Sequence, residues 1–201
     1  MAFKHKPAHP RILFSAKDHP DLPSGYGVIA RHLAPRLADH YGRKNFLIYA
    51  PVYGRDRIET WKGITILPGV AFDYGDELVL EHYQEYKCNL FIQVGDFFGL
   101  KRVPEYASKD QILWVQWAPF DFVNFPPFLK EILRYAIKTV PFTEYAERRF
   151  RKEGLENVSQ TIYPGLALNI WHPYNRDLLP SIMSSLGFTK DTWNIVIVQA
   201  N

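Results

Sequence analysis

Residues 11–33 read RILFSAKDHPDLPSGYGVIARHL, and this stretch decides the fold class. It begins with a short apolar run that predicts a buried strand, and a polar loop containing two prolines follows. Apolar residues then recur at a four-residue step, at Ile29, Leu33 and Leu37, which predicts a helix over residues 25–41. A strand, a glycine-containing loop and a helix in this order are typical of the first unit of an α/β sheet.

The same alternation of apolar runs and helical patterns continues along the chain. Strands are predicted at residues 45–51, 89–96, 111–117, 137–142 and 158–162, a hairpin at 57–68, and helices at 75–86, 128–135, 144–153 and 178–186. We therefore predict an α/β fold: a Rossmann-like, doubly wound, mostly parallel sheet with helices on both faces. Ligands of such sheets bind at the carboxyl ends of the strands.

Composition narrows the class of protein. The chain has 201 residues, of which 47% are hydrophobic and 22% charged, a balance typical of soluble globular proteins. The net charge of +3 is too small to argue for a nucleic-acid partner. Cys88 is the single cysteine, which rules out a disulfide framework and favours a reducing compartment. Because no signal-like or membrane-spanning apolar run is visible, we expect a cytoplasmic protein.

A pair of glycines at the start of the predicted helix resembles a dinucleotide-binding fingerprint. Residues 25–30 read GYGVIA, which fits G-x-G-x-x-A. That fingerprint also needs its glycines directly after the first strand and an acid at the end of the second strand. Residues 16–24 separate the strand from the glycines here, and no carboxylate ends the second strand. An NAD-dependent dehydrogenase is therefore disfavoured. The glycines either admit an anionic ligand to the helix end or only close a long loop.

Further segments match, in order and spacing, the pattern of one enzyme family. The strongest reads IYPGLALNIWHP at residues 162–173, and LGF at 186–188 and IVIV at 195–198 follow it. The others are the glycine loop and helix at 23–34, the strand at 89–94, PFD at 119–121 with FPP at 125–127, and residues 143–155. In these segments the chain resembles the retaining glycosyltransferases of family 4, also called group 1. Ala167 stands where that family has an aspartate.

The resemblance implies one half of a GT-B enzyme, which has two Rossmann-like domains. Residues 1–163 would form the N-terminal, acceptor-side domain, and residues 164–201 the interdomain linker and the start of a donor domain. We expect this to be the front part of a longer protein, inactive without its own C-terminal domain, because the apolar run at 195–198 has no following chain to pair with.

The implied activity is transfer of a sugar from a nucleotide sugar to an acceptor hydroxyl, with retention of configuration. The acceptor would be a glycan, a lipid or another hydroxyl compound, which for a lipid would place the protein at the inner face of the membrane. No cofactor and no metal are implied as requirements. A non-catalytic Rossmann or flavodoxin-like module, binding a nucleotide or a partner protein, is the alternative.

The resemblance also implies where substrates bind. The glycine loop, with Ser24, Gly25, Tyr26 and Gly27, borders the interdomain cleft in this family and helps to hold the donor diphosphate and the acceptor. Asp96, which ends a central strand in Gly-Asp, faces the same crevice or serves as a turn carboxylate.

Four more candidates lie after later strands. Asp121 is the candidate catalytic carboxylate, among aromatic residues that would shield it from water, at a loop where many family members have a histidine instead. Trp117 would stack on a sugar ring or pack in the core. Thr143 and Glu144 begin a helix and are substrate-binding candidates, although helix capping also explains both. No spacing of histidines or carboxylates indicates a metal site.

Overall fold

The computed structural model describes residues 10–51, 56–69, 75–165, 168, 173 and 175–189. A seven-stranded sheet has the order β3-β4-β2-β1-β5-β6-β7. Its strands are β1 (Ile12–Ser15), β2 (Phe46–Tyr49), β3 (Glu59–Trp61), β4 (Ile64–Leu67), β5 (Leu90–Val94), β6 (Trp114–Ala118) and β7 (Lys138–Pro141). Neighbouring strands are parallel except for the antiparallel β3–β4 hairpin. The predicted Rossmann-like, mostly parallel fold is confirmed.

Helices cover both faces of this sheet. They are α1 (Gly25–Tyr41), α2 (Val79–Glu85), α3 (Arg102–Ser108), α4 (Pro127–Leu133) and α5 (Glu144–Lys152). On one face, Ala30, Ala34 and Ala38 of α1 are fully buried against Ile12 and Phe14 of β1. Alanine at a four-residue step lets the helix backbone lie close to the sheet, because small side chains leave the shortest separation. The other face buries large side chains, including Leu13, Phe91, Trp114 and Phe150.

α3 was not predicted, and a distant side chain explains why it forms. Asp76 Oδ2 accepts hydrogen bonds from the backbone N–H groups of Lys101, Arg102 and Val103, at 2.8, 2.6 and 3.0 Å. Only 3% of Asp76 is exposed. The carboxylate satisfies donors that the start of a helix leaves unpaired, and its charge suits the positive end of the helix. Because Asp76 is far from α3 in the sequence, no local sequence pattern predicts that it caps this helix.

The strand predicted at residues 158–162 is wrong. The segment runs beside β7, where Ser159 N–H donates to Thr139 O at 2.9 Å, but only the pair Thr139–Val158 forms a β-bridge. Thr161 N–H turns instead to Glu147 Oε2, at 2.8 Å, and the Thr161 hydroxyl donates to the same oxygen at 2.7 Å. This side-chain acceptor on α5 takes the donor that a strand would give to its neighbour.

The chain divides into two compact units, Met1–Tyr163 and Pro164–Asn201. The second unit contains α6 (Leu179–Ser185), preceded by a 3-10 turn at Arg176–Leu178, where a helix was predicted. The strand predicted at 195–198 and position 167 lie outside the described residues. That the second unit begins a donor domain stays a prediction. Within the described residues, no helix is both long and apolar enough to span a membrane.

The cap on α3 makes a prediction about stability. Asp76→Ala leaves three backbone donors of α3 without their acceptor, so we expect the free energy of unfolding to fall by about 2–3 kcal/mol. Asp76→Asn keeps an oxygen acceptor but loses the charge, and should lose about 1 kcal/mol. Urea denaturation measures both, with Asp56→Ala at an exposed position as the control. Equal stability of Asp76→Ala and the control would contradict the role of the cap.

Candidate functional site

The candidate site lies at the carboxyl ends of β1 and β5. β1 is flanked by β2 on one side and β5 on the other, both parallel to it. The chain order of the strands therefore reverses at β1, and open α/β sheets have their ligand crevice at such a switch point. The loop 16–24 follows β1, and the turn at residues 95–96 follows β5. The sheet thus brings together two segments that carry predicted site residues.

The glycine loop ends in a capped helix start. Ser24 has extended backbone angles, and its Oγ accepts a hydrogen bond from Gly27 N–H at 2.9 Å, while its hydroxyl donates to Asp18. The first helical backbone bond runs from Val28 N–H to Ser24 O at 2.9 Å. The N–H groups at positions 25 and 26 precede that bond, so the helix itself has no carbonyl for them. α1 therefore presents a positive end to the crevice.

The two glycines of this loop differ in what surrounds them. A Cβ atom at Gly27 would lie 2.5 Å from Leu22 O and 2.9 Å from His19 O. Gly27 is therefore needed for the loop to pack against its own helix. A Cβ atom at Gly25 would meet nothing within 4 Å. Of the two positions, only Gly25 leaves the helix end open to another molecule.

Asp96 has two partners across the crevice, a hydrogen bond from Tyr26 and an ion pair with Lys17. The Tyr26 hydroxyl donates to Asp96 Oδ1 at 2.6 Å, and Lys17 Nζ lies 3.6 Å from Asp96 Oδ2. The side chains of Lys17 and Asp96 are 15% and 30% exposed, so the pair borders solvent. Burial, and then the hydrogen bond to Asp96, raise the pKa of the Tyr26 phenol well above its usual value. Tyr26 therefore remains a hydrogen-bond donor above the pH at which an ordinary phenol ionises.

The backbone at residues 95–96 fits tightly against Tyr26. Gly95 has φ +119°, a conformation that favours glycine. A Cβ atom there would lie 3.1 Å from the Tyr26 ring. Gly95 N–H donates to Trp117 O at 3.1 Å, and Gly95 O accepts from Gln116 Nε2 at 2.8 Å. The turn that carries Asp96 is thus held from both sides.

The loop after β1 is held in place before any ligand binds. Arg31 of α1 donates to Pro20 O at 2.8 Å and to Leu22 O at 3.3 Å. Trp61 Nε1 of β3 donates to Asp21 Oδ1 at 2.8 Å. Because backbone carbonyls and a side chain of the loop are bound by two different elements, the loop is a preorganised wall of the crevice.

Of the remaining predicted site residues, Trp117 lies within β6, Asp121 follows β6, and Thr143 and Glu144 follow β7. Trp117 Nε1 donates to Ile162 O at 2.8 Å, and its ring packs 4.9 Å from that of Phe142. Asp121 is exposed, so the expectation that aromatic residues shield it from water is wrong. The neighbouring aromatic rings, including Phe120, pack inward on Phe150 and leave Asp121 outside.

Thr143 and Glu144 have structural partners. Thr143 Oγ1 caps α5 by accepting from Ala146 N–H at 3.1 Å. Glu144 is exposed and lies 3.6 Å from Arg148 one turn later. Helix capping and a surface ion pair account for these residues, as their position in the sequence also suggested.

Of the predicted site residues, Ser24, Gly25 and Tyr26 lie at the start of α1, and the Tyr26 hydroxyl donates to Asp96. That they bind a substrate stays a prediction. Sequence reasoning did not single out their neighbour at this point of the fold. It missed Lys17, which follows β1 in a polar loop and has φ +63°. The sequence shows that a lysine follows the first strand, but the direction of the Lys17 side chain depends on that backbone conformation. Among the described residues, no group of three or more His, Cys, Asp and Glu side chains is arranged to hold a metal ion.

No protein-family model and no curated protein matches this chain.

Alanine substitutions at Gly27 and Gly25 are predicted to have different effects on the free energy of unfolding. Gly27→Ala brings Cβ against two loop carbonyls, so we expect a loss of about 1–3 kcal/mol in unfolding free energy. Gly25→Ala places Cβ in open space, and we expect a change within about 0.5 kcal/mol. Thermal and urea unfolding of the two variants, otherwise identical, provide the comparison. Equal losses would show that the loop does not pack on α1 as described.

The raised pKa of the Tyr26 hydroxyl predicts that folding stability depends on pH in the alkaline range. Its pKa is raised in the folded protein above the ordinary value of about 10. The native state then holds a proton that the unfolded chain releases, so this contribution to stability is complete below pH 10 and is lost as the pH rises beyond it. Tyr26→Phe should therefore lose less stability than the wild type between pH 10 and 11, by up to about 1.4 kcal/mol per pH unit. If the unfolding free energies of the two proteins fell in parallel with pH over that interval, the raised pKa of Tyr26 would be contradicted.

Proposed function

We propose that this chain is the N-terminal, acceptor-side part of a glycosyltransferase with two Rossmann-like domains. It would transfer a sugar from a nucleotide sugar to an acceptor hydroxyl, with retention, as its resemblance to family 4 implies. The observation that carries the proposal is the crevice at the β1–β5 switch point. There the capped start of α1 lies beside Lys17, Tyr26 and Asp96.

The positive groups of the crevice suit a diphosphate. Glycosyl transfer expels a nucleoside diphosphate, whose developing charge needs fixed hydrogen-bond donors or cations. The open N–H groups at the start of α1 supply donors, and Gly25 offers no side chain to block an approaching phosphate. The Lys17 ammonium adds a nearby cation, which Asp96 orients. No metal is required for this form of charge stabilisation.

The polar groups on the other side of the crevice suit a hydroxyl-bearing acceptor. Asp96 is 30% exposed, and its carboxylate oxygens have lone pairs beyond those used by Tyr26 and Lys17. The phenol oxygen of Tyr26 can also accept a hydrogen bond while its O–H group donates one to Asp96. A sugar or lipid head group with several hydroxyls would find both acceptors and donors within this small area.

The end of β2 disfavours NAD as the ligand. Dinucleotide-binding domains hold the ribose hydroxyl with an acid at this position. Here β2 ends at Tyr49, whose hydroxyl donates to Gly75 O at 2.7 Å. The residues that follow within the described range, Ala50 and Pro51, have no carboxylate. The ribose contact that a dehydrogenase needs therefore has no counterpart among these residues.

A transfer assay on the product of the whole gene tests the proposal. Gly25→Val places a branched side chain in open space at the start of α1, so we expect kcat/KM to fall about a hundredfold, as when charge-stabilising donors are blocked. The melting temperature should change little. Arg102→Val, at the exposed first residue of α3, is the matched control and should keep full activity.

Two outcomes would contradict the proposal. One is the absence of transfer from any common nucleotide sugar to lipid, glycan or simple alcohol acceptors by the wild-type gene product, measured by mass spectrometry. The other is normal kcat/KM in folded Gly25→Val protein. Residues 1–201 alone are expected to show no turnover, and turnover by this segment would show that a donor domain is not needed.

A further inference from the structure

The peptide group between Gly95 and Asp96 is fixed by the neighbouring strand β6. Gly95 N–H donates to Trp117 O at 3.1 Å, which continues the parallel ladder one step beyond the end of β5. Gly95 O belongs to the peptide that leads into Asp96, and it accepts from the side-chain amide of Gln116 at 2.8 Å. The orientation of this peptide plane decides where the Asp96 side chain begins.

Gln116 is an unusual residue for its position. It is fully buried in the middle of β6, on the same face of the sheet as Phe91 and Trp114. Its Nε2 donates to Gly95 O and, at 3.2 Å, to Trp117 O, while its Oε1 has no partner among the described residues. A half-paired buried amide is less favourable than an apolar side chain of similar size. What the amide provides is the pair of hydrogen bonds that it donates to Gly95 O and Trp117 O.

The adjacent strand supplies a comparison. Gln93 pairs with Gln116 across β5 and β6, lies on the same face, and is 3% exposed. The structure gives its side chain no hydrogen bond within the described residues, and its Oε1 is unpaired. The two glutamines thus share residue type, burial and register. They differ in that only Gln116 binds the turn that carries Asp96.

The turn has little freedom to move without breaking the Asp96 contacts. The Tyr26 ring lies 3.1 Å from where a Cβ of Gly95 would be, and the Tyr26 hydroxyl lies 2.6 Å from Asp96 Oδ1. If the Gly95–Asp96 peptide rotated, the carboxylate would leave the phenol and the Lys17 ammonium together. The hydrogen bond from Gln116 opposes that rotation.

We propose that Gln116 is a positioning residue, which holds the Gly95–Asp96 peptide so that the Asp96 carboxylate meets Tyr26, Lys17 and the hydroxyl of a bound acceptor. Gln116 touches no substrate and acts through Asp96. The part that concerns the acceptor rests on the proposed function. The part that concerns Tyr26 and Lys17 does not, and it is measurable without any substrate.

The test compares Gln116→Met with Gln93→Met in the same chain. Methionine matches glutamine in length and flexibility but cannot donate to Gly95 O. The readout is the Tyr26 hydroxyl proton in a proton NMR spectrum, identified by its disappearance in Tyr26→Phe. A hydrogen bond to a carboxylate shifts this proton downfield and slows its exchange with water. Asp96→Asn gives the reference for loss of the charged acceptor.

We expect Gln116→Met to speed exchange of this proton about tenfold or more, toward the Asp96→Asn rate, because an interaction of ordinary hydrogen-bond strength is lost. Gln93→Met should leave exchange unchanged, because the Gln93 side chain makes no hydrogen bond to the turn among the described residues. In the whole gene product, Gln116→Met should raise KM for the acceptor about tenfold or more, with Gln93→Met near wild type. Gln116→Leu serves if the methionine variant does not fold.

The proposal is overturned if the proton remains as protected in folded Gln116→Met as in the wild type. It is also overturned if Gln93→Met speeds exchange equally, since the effect would then be general loosening of the core. Failure of the proposed function gives a different result. In that case the wild-type gene product transfers no sugar, while the exchange rates still separate Gln116 from Gln93.

Discussion

The parallel pairing of β1 with β5 is the constraint on which the rest of this structure depends. It aligns Ile12 with Leu90 and Ser15 with Gln93. Because the ends of the two strands then lie side by side, the loop that begins at residue 16 and the turn at 95–96 face one another. A shift of one residue in that register would turn every side chain of β5 to the opposite face. The Tyr26–Asp96 hydrogen bond would then be lost.

Three helix starts in this domain are closed in different ways. α3 has its N–H groups taken by the buried Asp76 carboxylate. α5 is capped by Thr143, with Glu144 and Glu147 in its first turn. α1 is capped by Ser24 at Gly27 N–H and has no acid in its first turn. The carboxylates that lie near the start of α1, Asp18 and Asp96, come from outside the helix and are bound by Ser24 and Tyr26.

The loop after β1 and the turn that carries Asp96 are each held by hydrogen bonds from other elements. Arg31 and Trp61 hold the loop, and β6 holds the turn that carries Asp96. Groups fixed in advance need no reordering when charge develops during a reaction, which is how electrostatic stabilisation becomes effective. The same rigidity explains Gly27 and Gly95. Each is a glycine because neighbouring atoms of the site leave no room for a side chain.

The sequence alone determined the alternation of strands and helices, the parallel sheet and the boundaries of α1, since each follows from local periodicity and capping chemistry. Glycines at a helix start and an acid after a strand are local patterns that made Gly25 and Asp96 candidates, whereas Ser24 and Tyr26 were candidates through the resemblance to family 4. Lys17, Gln116 and the Asp76 cap on α3 were not predictable in this way. Their roles depend on contacts between residues distant in sequence, or on one left-handed backbone conformation.

Tertiary structure also decided what the other candidates contact. Asp121 was placed among aromatic residues by sequence, yet those rings pack inward and leave it in solvent. Thr143 and Trp117 hold neighbouring backbone groups. Local sequence specifies what a segment can form, because backbone propensity and capping act within a few residues. Which side chains meet is decided by strand register and packing, because only these join segments distant in the chain.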